Sequence, residues 1–408
     1  MISKRVLSSF SKFLGGNALS SLISLLNISI ISSSLGLDGF GIFILSQTCY
    51  LLIEQIFNIR GWQYLMVKKT TDTSDIKSLF GTNNVINILA FLTSMLIFSI
   101  LTLFNSINIE WIPIASIYTI LILFRNYDSA YIILRNNERY GLLSIFNILL
   151  ALSRFILLLV LGYLKKIDIL NITYLFVITE ILYYIIMNIY CSKKYTPYIC
   201  LFNFKLNQIK NGFKINLTTI FDLPVTTLDS YIINYFFGNE AVGAYKLCRK
   251  YITILGRVIS PLNQVLFPEI IKSSEHERNN LIYKAVSLSF IICISLGITM
   301  YFSIFYLNIP IFQSLQKESI FNLHILFILL MSIEILSLSF SIFNFFLISI
   351  SKNTHNYIAV LIANIIFLIL LVSLSYMTDN LIITTTIAML SQVITLITIR
   401  LYTTYIKK

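Results

Sequence analysis

Along most of this chain, apolar residues come in runs of about twenty that no ionised side chain interrupts. Nothing charged stands between Lys77 and Glu110, between Lys284 and Lys317, or between Asp379 and Arg400. Each run can form a helix of about 20 residues that crosses the hydrocarbon of a bilayer. Reading the polar breaks between such runs predicts twelve helices, near 10–34, 40–59, 83–105, 111–133, 141–163, 169–190, 214–237, 241–267, 285–307, 321–349, 356–377 and 380–401. Backbone in lipid must satisfy its own hydrogen bonds, which runs of this length do as helices. The predicted fold class is all-α integral membrane.

The longest polar connection, 192–213, divides the chain near its midpoint. We therefore expect an N-terminal six-helix lobe over 1–191, a cytoplasmic linker over 192–213 and a C-terminal six-helix lobe over 214–408. A repeat supports the division: Leu35–Leu45 aligns with Phe237–Leu247 at an offset of 202. It matches Gly36 with Gly238, Asp38 with Glu240, Gly41 with Gly243, Phe43 with Tyr245 and Leu45 with Leu247. Six helices per half is an even number, so the halves would run parallel. The basic start resembles a signal peptide, but the run after it has no clear cleavage site and reads as an uncleaved first helix.

Composition agrees with the pattern. The chain is 57% hydrophobic and 12% charged, where soluble domains carry about a quarter charged residues. Of its 30 Lys and Arg, twenty-two fall in segments on one side of the predicted membrane and three (Lys165, Lys166, Lys317) on the other. Such an asymmetry places both termini in the cytoplasm. It also accounts for the net charge of +12 without nucleic acid. Five scattered cysteines and three distant histidines suggest neither a disulfide framework nor a metal site. There is no phosphate loop of the GxxxxGK[ST] type, no cofactor motif, and no extramembrane loop large enough for a catalytic domain. An enzyme is not expected.

The remaining cations are the unusual ones. Lys246, Arg249, Lys250 and Arg257 fall within a sector roughly 100° wide on one helix. Facing lipid, four such charges would cost on the order of 10 kcal/mol, so this face must meet water or protein. Asp222, Thr226 and Asp229 share a face of the preceding helix. Counting outward from a turn at Asn239, Asp229 and Arg249 are each ten residues away, and Asp222 and Arg257 seventeen and eighteen. Two acid–base pairs at matching depth are expected, either purely structural or part of a site. Lys246 and Lys250 are candidates for snorkelling or for fitting into a polar gap. Helices one and two carry related polar faces, Asn17, Ser20, Ser21 and Ser24 on the first and Gln47, Glu54 and Asn58 on the second. Small polar residues there also serve plain helix packing. Gln47 is the repeat partner of Arg249. Pro224 and Pro261 predict bends. Glu334, Glu180 and Glu54 are candidate ion-coupling carboxylates; Arg154 is an alternative structural partner for Glu180, and Glu334 has no evident basic partner in its own half-helix.

The stretch from Asp229 through Gly238-Asn-Glu-Ala-Val-Gly-Ala-Tyr-Lys-Leu-Cys-Arg to Pro261 and Pro268 resembles the helix seven to eight signature of polysaccharide transporters of the MOP superfamily, and the first-half copy resembles its counterpart. The resemblance implies a twelve-helix, two-lobed, V-shaped, MATE-like fold whose helices one, two, seven and eight line a cavity. It further implies a Wzx-type O-antigen or capsule flippase of the bacterial inner membrane, moving undecaprenyl-diphosphate-linked oligosaccharide by alternating access. The implied partners are that lipid-linked substrate, membrane lipids, a polysaccharide polymerase and a chain-length regulator. Arg249, Arg257, Lys246, Lys250, Asp229, Asp222, Gln47, Asn17 and Ser24 would line the substrate site. A drug or metabolite exporter of the same superfamily would favour an acidic cavity, and a membrane polymerase or glycosyltransferase would need a longer periplasmic loop.

Single cysteines at positions 69, 139, 205 and 352 are expected to be labelled from the cytoplasmic side, and at 38, 110, 239 and 317 from the opposite side. Labelling of position 352 from outside intact cells would overturn the topology.

Overall fold

The structure is a computed structural model that describes residues 4–60, 65, 73–103, 110–126, 128–137, 139–195, 197–200, 203–272, 275–306, 322–349 and 353–405. Lys69, Lys317 and Lys352 lie outside the described residues. Among the described residues there is no strand. The helices are α1 (Lys4–Phe57), α2 (Thr73–Leu103), α3 (Trp111–Phe124), α4 (Asp128–Asn136), α5 (Tyr140–Tyr163), α6 (Ile169–Lys194), α7 (Leu206–Phe221), α8 (Asp229–Lys272), α9 (Glu275–Phe305), α10 (Leu323–Ser339), α11 (Ile342–Ser349), α12 (Asn353–Met377) and α13 (Leu381–Tyr405), with a five-residue π-helical stretch at Pro224–Leu228 before α8. Among the described residues eight are long and apolar enough to cross a membrane, or nine if the bent pair Trp111–Phe124 and Asp128–Arg135 forms one span. That count takes Gly15–Phe57 as one element although it breaks at Gly36, and it omits α8, which carries the cations.

The described chain forms two compact units. One comprises Met1–Asn27 with Ile42–Ile220, the other Ile28–Gly41 with Phe221–Lys408. In the first, the stretch between α6 and α7 is fastened to the helix ends. The Tyr198 hydroxyl donates to Asn188 Oδ1 (2.8 Å), Lys205 pairs with Asp75 (2.8 Å), and Gln208 donates to Ser78 Oγ (2.8 Å). Buried Asn27 donates to the Ala151 carbonyl (3.1 Å) in the same unit.

The repeat has a structural counterpart in the second unit. Gly36 breaks α1 with φ 72° and ψ 178°, and Gly238 breaks α8 with φ 85° and ψ 179°. Side-chain-bearing residues rarely adopt such positive φ values. Five residues beyond each break a second glycine permits a backbone contact. A Cβ on Gly41 would strike the Asn239 carbonyl, with its carbon at 2.8 Å and Gly243 N at 3.2 Å; a Cβ on Gly243 would strike the Leu37 carbonyl, with its carbon at 2.9 Å and Gly41 N at 3.3 Å. Leu37 and Asn239 are themselves 202 apart, so the contact is reciprocal. Pro224 opens the π-helical stretch, as a residue without an N–H must disturb the helical ladder. Pro261 does not break α8, whose one interruption is Gly238.

Because the obstruction is backbone on both sides, Gly41→Ala and Gly243→Ala should each destabilise the purified protein by about 1–3 kcal/mol. Gly15→Ala, where nothing lies within 4 Å of the added carbon, should be neutral or slightly stabilising. Thermal unfolding of the three variants in detergent checks the contrast.

Candidate functional site

The cationic face of α8 starts from a buried ion pair. Asp229 has no exposed surface and Lys246 is 6% exposed, and the ammonium binds both carboxylate oxygens, at 2.7 and 2.8 Å. The backbone N–H of Ser230 donates to Oδ1 (2.8 Å). The Tyr245 hydroxyl donates to Oδ2 (3.0 Å) and accepts from Arg249 Nη1 (3.0 Å). Arg249 Nη1 also meets Met389 Sδ on α13 (3.4 Å).

The pairing differs from the expected one. Asp229 binds Lys246, and Arg249 reaches it only through the Tyr245 hydroxyl. The reason is the position of the break. Counted from Gly238, where the helical φ/ψ stops, Asp229 and Lys246 lie nine and eight residues away and Arg249 eleven, so the lysine meets the acid at its depth. Lys246 is therefore not snorkelling. Asp222 accepts from Asn364 Nδ2 (3.2 Å), whose Oδ1 takes a bond from Gln392 (3.0 Å); the charge of Arg400 also acts on it. The basic neighbour of Glu334 lies on another helix: α10 packs on α8 and brings Glu334 within Coulombic reach of Arg249. Farther along the face, Lys250 and Arg257 keep exposed side chains. Among the described residues nothing bonds to the Lys250 ammonium, whose charged neighbours are Lys246 and Arg257.

The first unit holds the other predicted residues. Glu54 pairs with Arg125 (2.9 Å) and takes a bond from Asn58 (2.6 Å), while Arg125 also donates to Tyr50 (2.9 Å). Glu180 pairs with Arg154 (2.7 Å), is held by Tyr184 (2.7 Å), and shares its arginine with Thr179 (3.1 Å) and the Phe176 ring (4.4 Å). Gln47 donates to the Tyr118 hydroxyl (3.3 Å). On the first helix the Asn17 carbonyl accepts from Ser20 and Ser21, and Ser24 returns its hydroxyl to the Ser20 carbonyl (2.7 Å). The residues that sequence reasoning missed are Tyr245 and Met389. Tyr245 had a signal, being the counterpart of Phe43 with a hydroxyl added; Met389 had none.

The sequence profile of a family described as polysaccharide biosynthesis protein matches residues 6–274. The chain belongs to that family. No curated protein matches it individually. Among solved structures it is similar to the lipid II flippase MurJ in an inward-closed conformation, with a TM-score of 0.69 and 15% identity over 95% of this chain and 86% of that one. A MOP superfamily transporter from Pyrococcus furiosus, described as having a binding pocket of reverse polarity, gives 0.64 and 12% over 98% and 96%. The MATE multidrug transporter DinF-BH gives 0.59 and 15% over 99% and 96%. This member of the polysaccharide biosynthesis family therefore has the all-α membrane fold of MATE and MOP superfamily transporters.

Removing one partner of the buried pair strands a charge. Asp229→Asn or Lys246→Met should each destabilise the protein by about 3 to 5 kcal/mol, whereas Asp229→Leu with Lys246→Met should recover most of the loss. Chemical denaturation of the purified variants measures this. A double variant whose loss equals the sum of the two single losses would show the pair to be energetically uncoupled.

Proposed function

We propose that this protein is a flippase that carries undecaprenyl-diphosphate-linked oligosaccharide, an O-antigen or capsule repeat unit, across the bacterial inner membrane by alternating access. It works as a transporter rather than an enzyme, with both termini cytoplasmic and its lobes at 1–191 and 214–408 joined through 192–213. The observation that carries the reading is the positive charge that α8 presents beyond its buried pair. Lys246 is taken by Asp229, yet the same face still presents half-buried Arg249 and exposed Lys250 and Arg257. A diphosphate suits such a face, since guanidinium offers paired, charge-assisted hydrogen bonds. An exporter of cationic compounds would be repelled by it. Membership of a polysaccharide biosynthesis family supports the same substrate class. Asp222, Gln47, Asn17 and Ser24 are assigned to the sugar side of the path. Of the ion-coupling candidates, Glu54 and Glu180 are each bound to an arginine, so we place coupling on Glu334. A polysaccharide polymerase and a chain-length regulator are the expected downstream partners.

Arg249→Ala and Arg257→Ala should each cut transport of lipid-linked oligosaccharide by roughly 10- to 100-fold, the loss expected for one hydrogen bond to a charged group. Protein should still reach the membrane, and Lys should restore function only in part. Surface polysaccharide in complemented cells reports the result. Normal polymer levels with Ala at both positions would move the diphosphate site elsewhere.

A further inference from the structure

Arg249 is bound on one edge only. Its Nη1 donates to the Tyr245 hydroxyl at 3.0 Å and meets Met389 Sδ at 3.4 Å. Among the described residues nothing bonds to its Nε or Nη2, and neither is a sealed, partnerless atom. Those two N–H groups form the side-on fork that matches two oxygens of one phosphate.

Two anchors hold Nη1 where it is. Tyr245 is 1% exposed, and its hydroxyl has one proton to give. That proton goes to Asp229 Oδ2 (3.0 Å), because a carboxylate is the strongest acceptor within reach. The hydroxyl lone pairs are thereby turned toward Arg249. Asp229 in turn is pinned by Lys246 and by the Ser230 backbone. The chain Lys246–Asp229–Tyr245–Arg249 therefore has a fixed direction of donation, in which each bond sets the orientation of the next. In the first half the counterpart of Tyr245 is Phe43 and that of Arg249 is Gln47, so neither the hydroxyl nor the fork occurs there.

The geometry points to Tyr245 as a positioning residue, one that fixes Arg249 by its Nη1 edge so that the Nε–Nη2 fork receives a diphosphate side-on. Tyr245 itself does not touch the substrate. The inference rests on the diphosphate-binding function given to Arg249 above, and it adds which edge binds and what orients it. Without the hydroxyl the guanidinium keeps its charge and loses its direction. Attraction for any anion would persist, while the advantage of a diphosphate over a monophosphate would fall.

The test is calorimetric titration of the purified full-length protein with farnesyl diphosphate and farnesyl monophosphate, accompanied by thermal unfolding of each variant. The wild type should favour the diphosphate. Tyr245→Phe should weaken diphosphate binding roughly tenfold and monophosphate binding far less. In an Arg249→Ala background, Tyr245→Phe should cost no further affinity, although its effect on thermal stability should persist. Met389→Leu, which removes the sulfur and keeps the bulk, should show the same dependence on Arg249 with a smaller loss, and it serves if Tyr245→Phe does not fold. Equal weakening of both ligands, or an equal loss with and without Arg249, would reduce Tyr245 to a structural role and overturn the inference while leaving Arg249 as a ligand. Unchanged diphosphate binding in Arg249→Ala, or none in the wild type, would instead remove the diphosphate site, and the inference with it.

Discussion

A carboxylate with no exposed surface inside an apolar helical unit has to be met by a cation, and the second unit is organised around that requirement at Asp229. Burial of either charge alone would cost several kcal/mol, so Lys246 must descend from α8 to the depth of the acid. Once it does, the Tyr245 hydroxyl has a carboxylate to serve ahead of the weaker Met389 sulfur, and Arg249 has that hydroxyl to lean on. The orientation of the cationic face is thus inherited from a buried ion pair. The break at Gly238 sets which residue arrives opposite Asp229, and so determines that the lysine is consumed and the arginine kept.

The first unit handles buried charge differently. Glu54 with Arg125 and Glu180 with Arg154 are balanced pairs, each reinforced by tyrosine hydroxyls from Tyr50 and Tyr184. Charges matched one to one suit a framework, because they leave little field for a mobile ligand to feel. In the second unit Lys246, Arg249, Lys250 and Arg257 share one face, and Asp229 is bound directly by the first of them. Two halves that share a repeat have diverged in charge at equivalent positions, Gln47 against Arg249 and Gln55 against Arg257.

Much of this was legible in the sequence because the governing quantities are additive along the chain. Hydropathy summed over about twenty residues located the helices, and the predicted segments fall largely within described ones, from α1 at Lys4–Phe57 to α13 at Leu381–Tyr405. The Arg154–Glu180 pair was legible as a structural alternative. What escaped were features set by a single residue's geometry. A turn placed at Asn239 instead of Gly238 was enough to pair Asp229 with the wrong cation. The interruption expected at Pro261 is instead at Gly238, and the helical φ/ψ of α8 run on through the proline. Met389 comes from α13, 140 residues beyond Arg249, and no local pattern connects the two.

The reciprocal contact of Gly41 and Gly243 ties distant parts of the gene to one another. Each glycine admits a carbonyl supplied by the other copy of the repeat, so neither copy can drift alone at these positions. Chimeras made by exchanging sequence halves between relatives will keep this contact only if the incoming half brings both the glycine and a backbone carbonyl at the matching place. Packing makes the two glycines interdependent, and the midpoint of the sequence is not a boundary across which the protein can be freely recombined.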